Sequence, residues 1–151
     1  TLGRVVDYQV KDANHMGAAM APAVADTITA HLTDTGRSFA DYDLVATGDL
    51  GYIGRNILKE LLIQRGVKVA DEKLIDCGAS MFSREQDAHA GGSGCGCVAS
   101  VTCGYILRKV QAGEYHRVLV IGSGALLSLT TQQQGQTIPG IAFAAALEGE
   151  S

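Results

Sequence analysis

Four glycines and two cysteines fall within the seven residues Gly91-Gly92-Ser93-Gly94-Cys95-Gly96-Cys97, directly ahead of an apolar, helix-like stretch. Each glycine inside a helix costs roughly 1 kcal/mol relative to alanine, so helix propensity does not account for them. They fit a place where backbone must approach a ligand or another helix closely. Thiols near the positive end of a helix can be shifted towards thiolate, which would make Cys95 or Cys97 a nucleophile. Close packing of a central helix explains the same glycines, and the two readings are compatible.

A second constellation is Thr47-Gly48-Asp49-Leu50-Gly51-Tyr52-Ile53-Gly54, between an apolar strand-like run and an amphipathic helical one. A glycine-rich strand-to-helix turn lets a diphosphate reach backbone amides at a helix N-terminus. The spacing G-x-x-G-x-x-G resembles the short-chain dehydrogenase fingerprint. Asp71 stands about twenty residues on, where such folds place a ribose-binding acid. Tyr105 and Lys109 complete a Y-x-x-x-K. Three features oppose this NAD(P) reading. A strand and a long helix precede a turn that should follow the first strand. The turn-to-tyrosine gap is too short for the intervening strand–helix units. Asp49 also puts negative charge where the diphosphate would sit. A third constellation, Cys77, Cys95, Cys97, Cys103 and His89, invites a metal. Yet C-x-C is a poor chelate spacing beside C-x-x-C, and buried cysteine as a small hydrophobe is the commoner role.

These residues need elements to hold them. Arg4 to Val10 carries apolar Val5, Val6, Tyr8 and Val10 and predicts a strand. Asp12 or Asn14 would cap a helix from Met16 to Thr35, rich in small residues, with Pro22 near its start and Gly36 ending it. Asp41 to Thr47 predicts a second strand. Ile53, Ile57, Leu58, Leu61 and Leu62 share one face of a helix running to Arg65. Lys73 to Cys77 predicts a third strand, and Gly78 to Gly91 an irregular connection. A helix follows over Val98 to Val110, then a strong strand over Arg117 to Gly122. Ser123 to Thr137 reads as a polar loop, Ile138 to Leu147 as a last strand, and GES as a polar tail. The order β-α-β-α-β-α-β-β predicts an α/β domain with a mixed five-stranded sheet and helices on both faces.

The bulk numbers agree with one domain over residues 1–151. Apolar residues make up 46% and charged residues 19%, ordinary for a globular chain rather than a disordered one. The net charge of −4 comes with scattered basic residues, against a nucleic-acid partner. No apolar run approaches the roughly 20 residues that span a bilayer. Four cysteines without disulfide-scaffold spacing favour a reducing compartment. Thr1 is not an initiator methionine, so the chain is expected to be part of a longer one.

The segments MGAAMAPAVADTI, DYDLVATGDLGYIGR, AGGSGCGC, RVLVIGSGALLS and QQGQTIPGIAFAAALE resemble the second half of thiolase-like proteins, and within that superfamily a bacterial sporulation family. The resemblance runs from about Met16 to Glu148 and carries several expectations. The chain would be the C-terminal half of a two-half protein, with the Val98–Val110 helix at the centre of a five-layered pair. Condensing enzymes of this fold place a histidine after the second strand of this half and an Asn or His before its third helix. Those positions fall near Thr47 and Ser93, neither of which can act as a base near neutral pH. His89, on the irregular connection, is the nearby imidazole.

The resemblance therefore implies a non-catalytic protein that binds dipicolinic acid (pyridine-2,6-dicarboxylate) and supports its uptake into the developing spore. Thr47, Gly48, Ser93, Gly94 and Cys95 would line the ligand, with no cofactor and no metal. Implied partners are the N-terminal half and membrane proteins of the same sporulation operon. The implied location is peripheral, on the cytoplasmic side of the forespore inner membrane. The alternative from the same fold is an acyl-thioester condensing or acyl-transfer enzyme with Cys95 as its thiol. Without its other half, the chain is expected to expose one face of the Val98–Val110 helix and self-associate as a homodimer.

Overall fold

Alanines and other small residues dominate the first helix because both of its sides are covered. In a computed structural model, which describes residues 1–149, helix α1 (Met16–Thr35) is buried continuously from Ala19 to Ala25. Asp12 caps a 3-10 turn (Ala13–His15) ahead of it, accepting from the Asn14 amide, and Pro22 lies inside the helix without ending it. Gly36 closes it in left-handed conformation, φ 64°, donating to the carbonyls of Leu32 and Thr33. Helix α2 (Gly51–Gln64) crosses α1 where Gly17 meets Gly54. A Cβ at Gly17 would lie 2.2 Å from the Leu50 carbonyl oxygen, so only glycine allows this approach.

Both helices pack on one face of a four-stranded sheet ordered β2-β1-β3-β4. Its strands are β1 (Leu44–Thr47), β2 (Leu74–Asp76), β3 (Arg117–Ala125) and β4 (Gly140–Glu148). β1 is parallel to β2 and β3, while β4 is antiparallel to β3. Val45, Leu119, Ile121, Ala142 and Ala144 face α1 and α2. On the other face Leu44, Ala46 and Val118 meet the third helical segment. The chain is thus α/β with a mixed, open sheet.

The sheet has four strands rather than the expected five. The Arg4–Val10 segment runs along the free edge of β4 without forming a ladder. The chain touches β4 at two isolated bridges, Val6 with Gly140 and, ahead of the expected strand, Leu2 with Phe143. These contacts are four residues apart on one segment and three apart on the other, a bulge that breaks regular pairing. Gln9, at φ 61°, then turns the chain away. Val5 and Tyr8 are exposed while Val6 packs partly buried against the core, so only part of the apolar pattern that predicts a strand has a core to face.

The third helix is a composite. It starts as α3 (Gly96–Val101), widens into a π-helical turn (Thr102–Ile106) and ends as α4 (Leu107–Gln111). Its core-facing residues Cys97, Val101, Ile106 and Val110 are spaced four, five and four apart. A pure α-helix would swing Ile106 about 140° from Val101, and the extra residue of the wide turn restores the shared face. The opposite side, with Ala99, Ser100, Cys103 and Gly104, is exposed, so this helix is buried on one face only. β3 extends past Gly122 to Ala125, and the polar loop after it holds a short helix, Leu129–Gln133, capped by Ser128. Of the polar tail, Glu150 and Ser151 lie outside the described residues.

Candidate functional site: a cleft above β1 and β3

The C-terminal ends of β1 and β3 are where the chain parts. β1 leads through α2 to β2 on one side, and β3 leads to β4 on the other. In open α/β sheets such a divergence leaves a crevice beyond the strand ends. Gly48 and Asp49 from β1, Ser123 from β3, and the turn before α3 converge there.

Asp76, the last residue of β2, organises one wall. It is only 2% exposed, and its carboxylate accepts from Thr47 Oγ1 (2.7 Å), Leu50 N (2.8 Å), Gly51 N (3.0 Å) and Ala79 N (3.0 Å). Two of the turn amides that a diphosphate would need are therefore already satisfied from within the protein. The other pieces of the nucleotide reading are also committed elsewhere. Asp71 pairs with Arg55 and Lys59 of α2. Tyr105 shares a hydrogen bond with Tyr115, and Lys109 pairs with Glu114, well down the third helix from the turn.

Asp49 organises the other wall. It accepts from the Gly94 amide at 2.7 Å, with Ser93 Oγ at 3.5 Å and Ser123 Oγ at 3.4 Å. Backbone bonds lock the neighbouring turns together, Gly78 N donating to Gly48 O (2.9 Å) and Gly92 N to Gly78 O (2.8 Å). Gly48, buried against Ser123, and the exposed Ser93 and Gly94 are thus brought together around Asp49. Thr47 is fully buried beneath it, its hydroxyl turned towards Asp76. Cys95 is exposed at the start of α3.

The thiols divide by burial. Cys77 is pushed up to about 12, first by burial and then by the Asp76 carboxylate. Cys97 is also raised, again by burial first and then by Asp49 and Asp76. Burial and carboxylates both oppose thiolate, the reverse of an activated nucleophile. His89 sits outside the cleft on the connecting loop, with its side chain 89% exposed. Among the described residues no three His, Cys, Asp or Glu side chains group as a metal site requires, and no helix is long and apolar enough to cross a membrane.

Asp76 and Ser123 are the residues that sequence reasoning missed. Asp76 had one available signal, a carboxylate closing an otherwise apolar strand next to a glycine turn. Ser123 had none, because the strand was expected to end before it.

Comparison with known proteins gives this arrangement a context. The family model described as Stage V sporulation protein AD (SpoVAD) matches residues 1–148. The stage V sporulation protein AD of Bacillus subtilis (strain 168) is 45% identical over 148 residues, covering 98% of this chain and 44% of that protein. The chain thus spans less than half the length of the curated relative it matches. With nearly every residue inside the match, the chain belongs to the stage V sporulation protein AD family.

Proposed function

We propose that this chain is the C-terminal, thiolase-like half of a non-catalytic sporulation protein that binds dipicolinic acid and supports its uptake into the spore. The observation that carries the reading is the chemistry of the cleft. Where a condensing enzyme would need an imidazole and a reactive thiol, the cleft presents Asp49, Ser93 and Ser123, and the buried thiols nearby are shifted away from thiolate. Cys95 is exposed, with no imidazole hydrogen-bonded to it among the described residues, which weighs against acyl transfer.

The ligand would meet Gly48, Ser93, Gly94 and Cys95, over a floor set by Thr47. Asp49 holds the Gly94 amide, so a dianion must compete with this carboxylate for the donor. The remaining walls would come from the N-terminal half, and membrane proteins of the same operon would hold the whole protein peripherally at the cytoplasmic side of the forespore inner membrane.

Titration calorimetry of the full-length protein tests this. Saturable heat with dipicolinate, and none with an acyl-CoA or NAD(P), is the expected result. Asp49→Asn removes the competing charge and should tighten dipicolinate binding several-fold, since like charges within hydrogen-bond reach repel strongly in a partly buried cleft. Thioester turnover abolished by Cys95→Ala would overturn the proposal.

A further inference from the structure

One lip of the cleft, residues 93–96, is exposed along its whole length and lies between two anchored residues. Gly92 ahead of it donates to the Gly78 carbonyl at 2.8 Å, and Cys97 behind it is buried with Leu44, Ala46, Cys77 and Ile106. Among the described residues, the two apolar clusters of the core include none of these four. Gly94 stands at φ 101°, and neither Gly94 nor Gly96 has a heavy atom within 4 Å of where a Cβ would lie. Two such glycines, free of neighbours, give the lip the backbone freedom that a hinge requires.

The side chain that holds the lip across the cleft is Asp49. One of its carboxylate oxygens accepts from the Gly94 amide at 2.7 Å and lies 3.5 Å from Ser93 Oγ. The other lies 3.4 Å from Ser123 Oγ on β3. The lip is therefore tied to the end of β1 chiefly by one charge-assisted hydrogen bond, at a contact open to solvent. The next bond along runs from the Cys97 amide to the Gly94 carbonyl at 3.1 Å, so the first turn of α3 depends on where Gly94 is held.

We propose that residues 93–96 form a gate over the cleft, latched by Asp49 in the free protein. When the Asp49 carboxylate swings out, the Gly94 amide and the Ser93 and Ser123 hydroxyls lose their acceptor. The lip then moves about its glycines, and α3 frays at Cys97. A carboxylate of the ligand takes the place of Asp49 on these donors, and the lip closes over it. The latch is a property of the free protein, whereas the closing step rests on the reading of the cleft as the dipicolinate site.

Hydrogen exchange of the full-length protein, resolved to single amides by fragmentation mass spectrometry, tests both steps. The diagnostic amide is that of Cys97, whose partner is the Gly94 carbonyl rather than Asp49. In Asp49→Ala it should exchange about tenfold faster, the factor that loss of a charge-assisted hydrogen bond carries. Val45 and Leu119 in the core strands should stay unchanged. Asp49→Asn, which keeps an acceptor, should fall between Asp49→Ala and the parent. Saturating dipicolinate should slow the Cys97 amide again in Asp49→Ala. Unchanged exchange at Cys97, or equal acceleration at Val45 and Leu119, would overturn the latch. Calorimetry on the same samples separates the two readings. A fast Cys97 amide without dipicolinate heat overturns the ligand site and upholds the latch, whereas heat without slowing at Cys97 overturns the closing step.

Discussion

Asp76 joins two pieces of chain that are far apart in sequence, accepting from the hydroxyl of Thr47 and the amides of Leu50 and Gly51 in one turn and from the amide of Ala79 in its own. Asp76→Asn keeps the volume but turns a donor towards donors, leaving buried amides unpaired. A loss of about 2–3 kcal/mol is expected from urea unfolding. Thr47→Val removes one donor and leaves the others in place, so it should cost only about 1 kcal/mol. His31 offers a different handle. Its ring is buried between Thr1 Oγ1 (2.7 Å) and the Tyr42 hydroxyl (2.6 Å). Burial holds its pKa below the usual histidine range, with Arg37 adding to the effect. The unfolded chain therefore takes up this proton more readily than the folded one. The stability from a neutral His31 is present above about pH 6.5 and is lost as pH falls through the lower folded value. Urea midpoints between pH 7.5 and 5 should fall steeply in the parent and less steeply in His31→Gln.

At the scale of elements, the α1–α2 crossing depends on the smallest side chain. Gly17→Ala gains helix propensity of about 1 kcal/mol, but its Cβ meets backbone at Leu50 and Gly54 that cannot move aside. Net destabilisation of about 1–3 kcal/mol is expected by thermal or chemical unfolding. Gly104, also in a helix, has nothing within 4 Å of where a Cβ would lie. Gly104→Ala should therefore raise stability by about 0.5–1 kcal/mol. The sequence made α1, α2 and the parallel strands legible because their apolar spacing and glycine stops reflect local periodicity and a shared core. The edge segment before α1 departs from the predicted strand because alternation reports what could be buried, and here Val6 reaches the core while Val5 and Tyr8 stay exposed. The wide turn was written in the five-residue step from Val101 to Ile106, a spacing that a search for regular 3.6-residue periodicity passes over. In the cleft, the glycines and Ser93 stood out by composition. Asp76 and Ser123 did not, since their importance arises only when separate strand ends meet.

At the scale of the whole molecule, apolar and small groups stand exposed on one part of the surface. Phe143 is 46% exposed on β4, Ala145 is exposed beside it, and the third helix presents Ala99, Cys103 and Gly104 to solvent. Exposed apolar and small groups of this kind are suited to an interaction surface. Sedimentation equilibrium of the chain alone should detect self-association, with the homodimer as the first species. Phe143→Glu should shift it to monomer, and Gly104→Ala should weaken it while stabilising the subunit. A chain that stays monomeric at about 100 μM would remove both the dimer and the role assigned to this face.

The wide turn in the third helix also sets which length changes the protein can absorb. Deleting one residue between Val101 and Ile106 would convert the turn to ordinary α-helix and return the two core residues to a four-residue step, with both ends still facing the sheet. The same deletion between Ile106 and Val110 would rotate everything beyond it by about 100° and move Val110 to the opposite flank of the face it shares with Ile106. Single-residue insertions and deletions among natural variants of this helix should therefore gather between Val101 and Ile106. The turn is the helix's one tolerant joint, where the end that meets the cleft and the end that anchors on the sheet can change length independently.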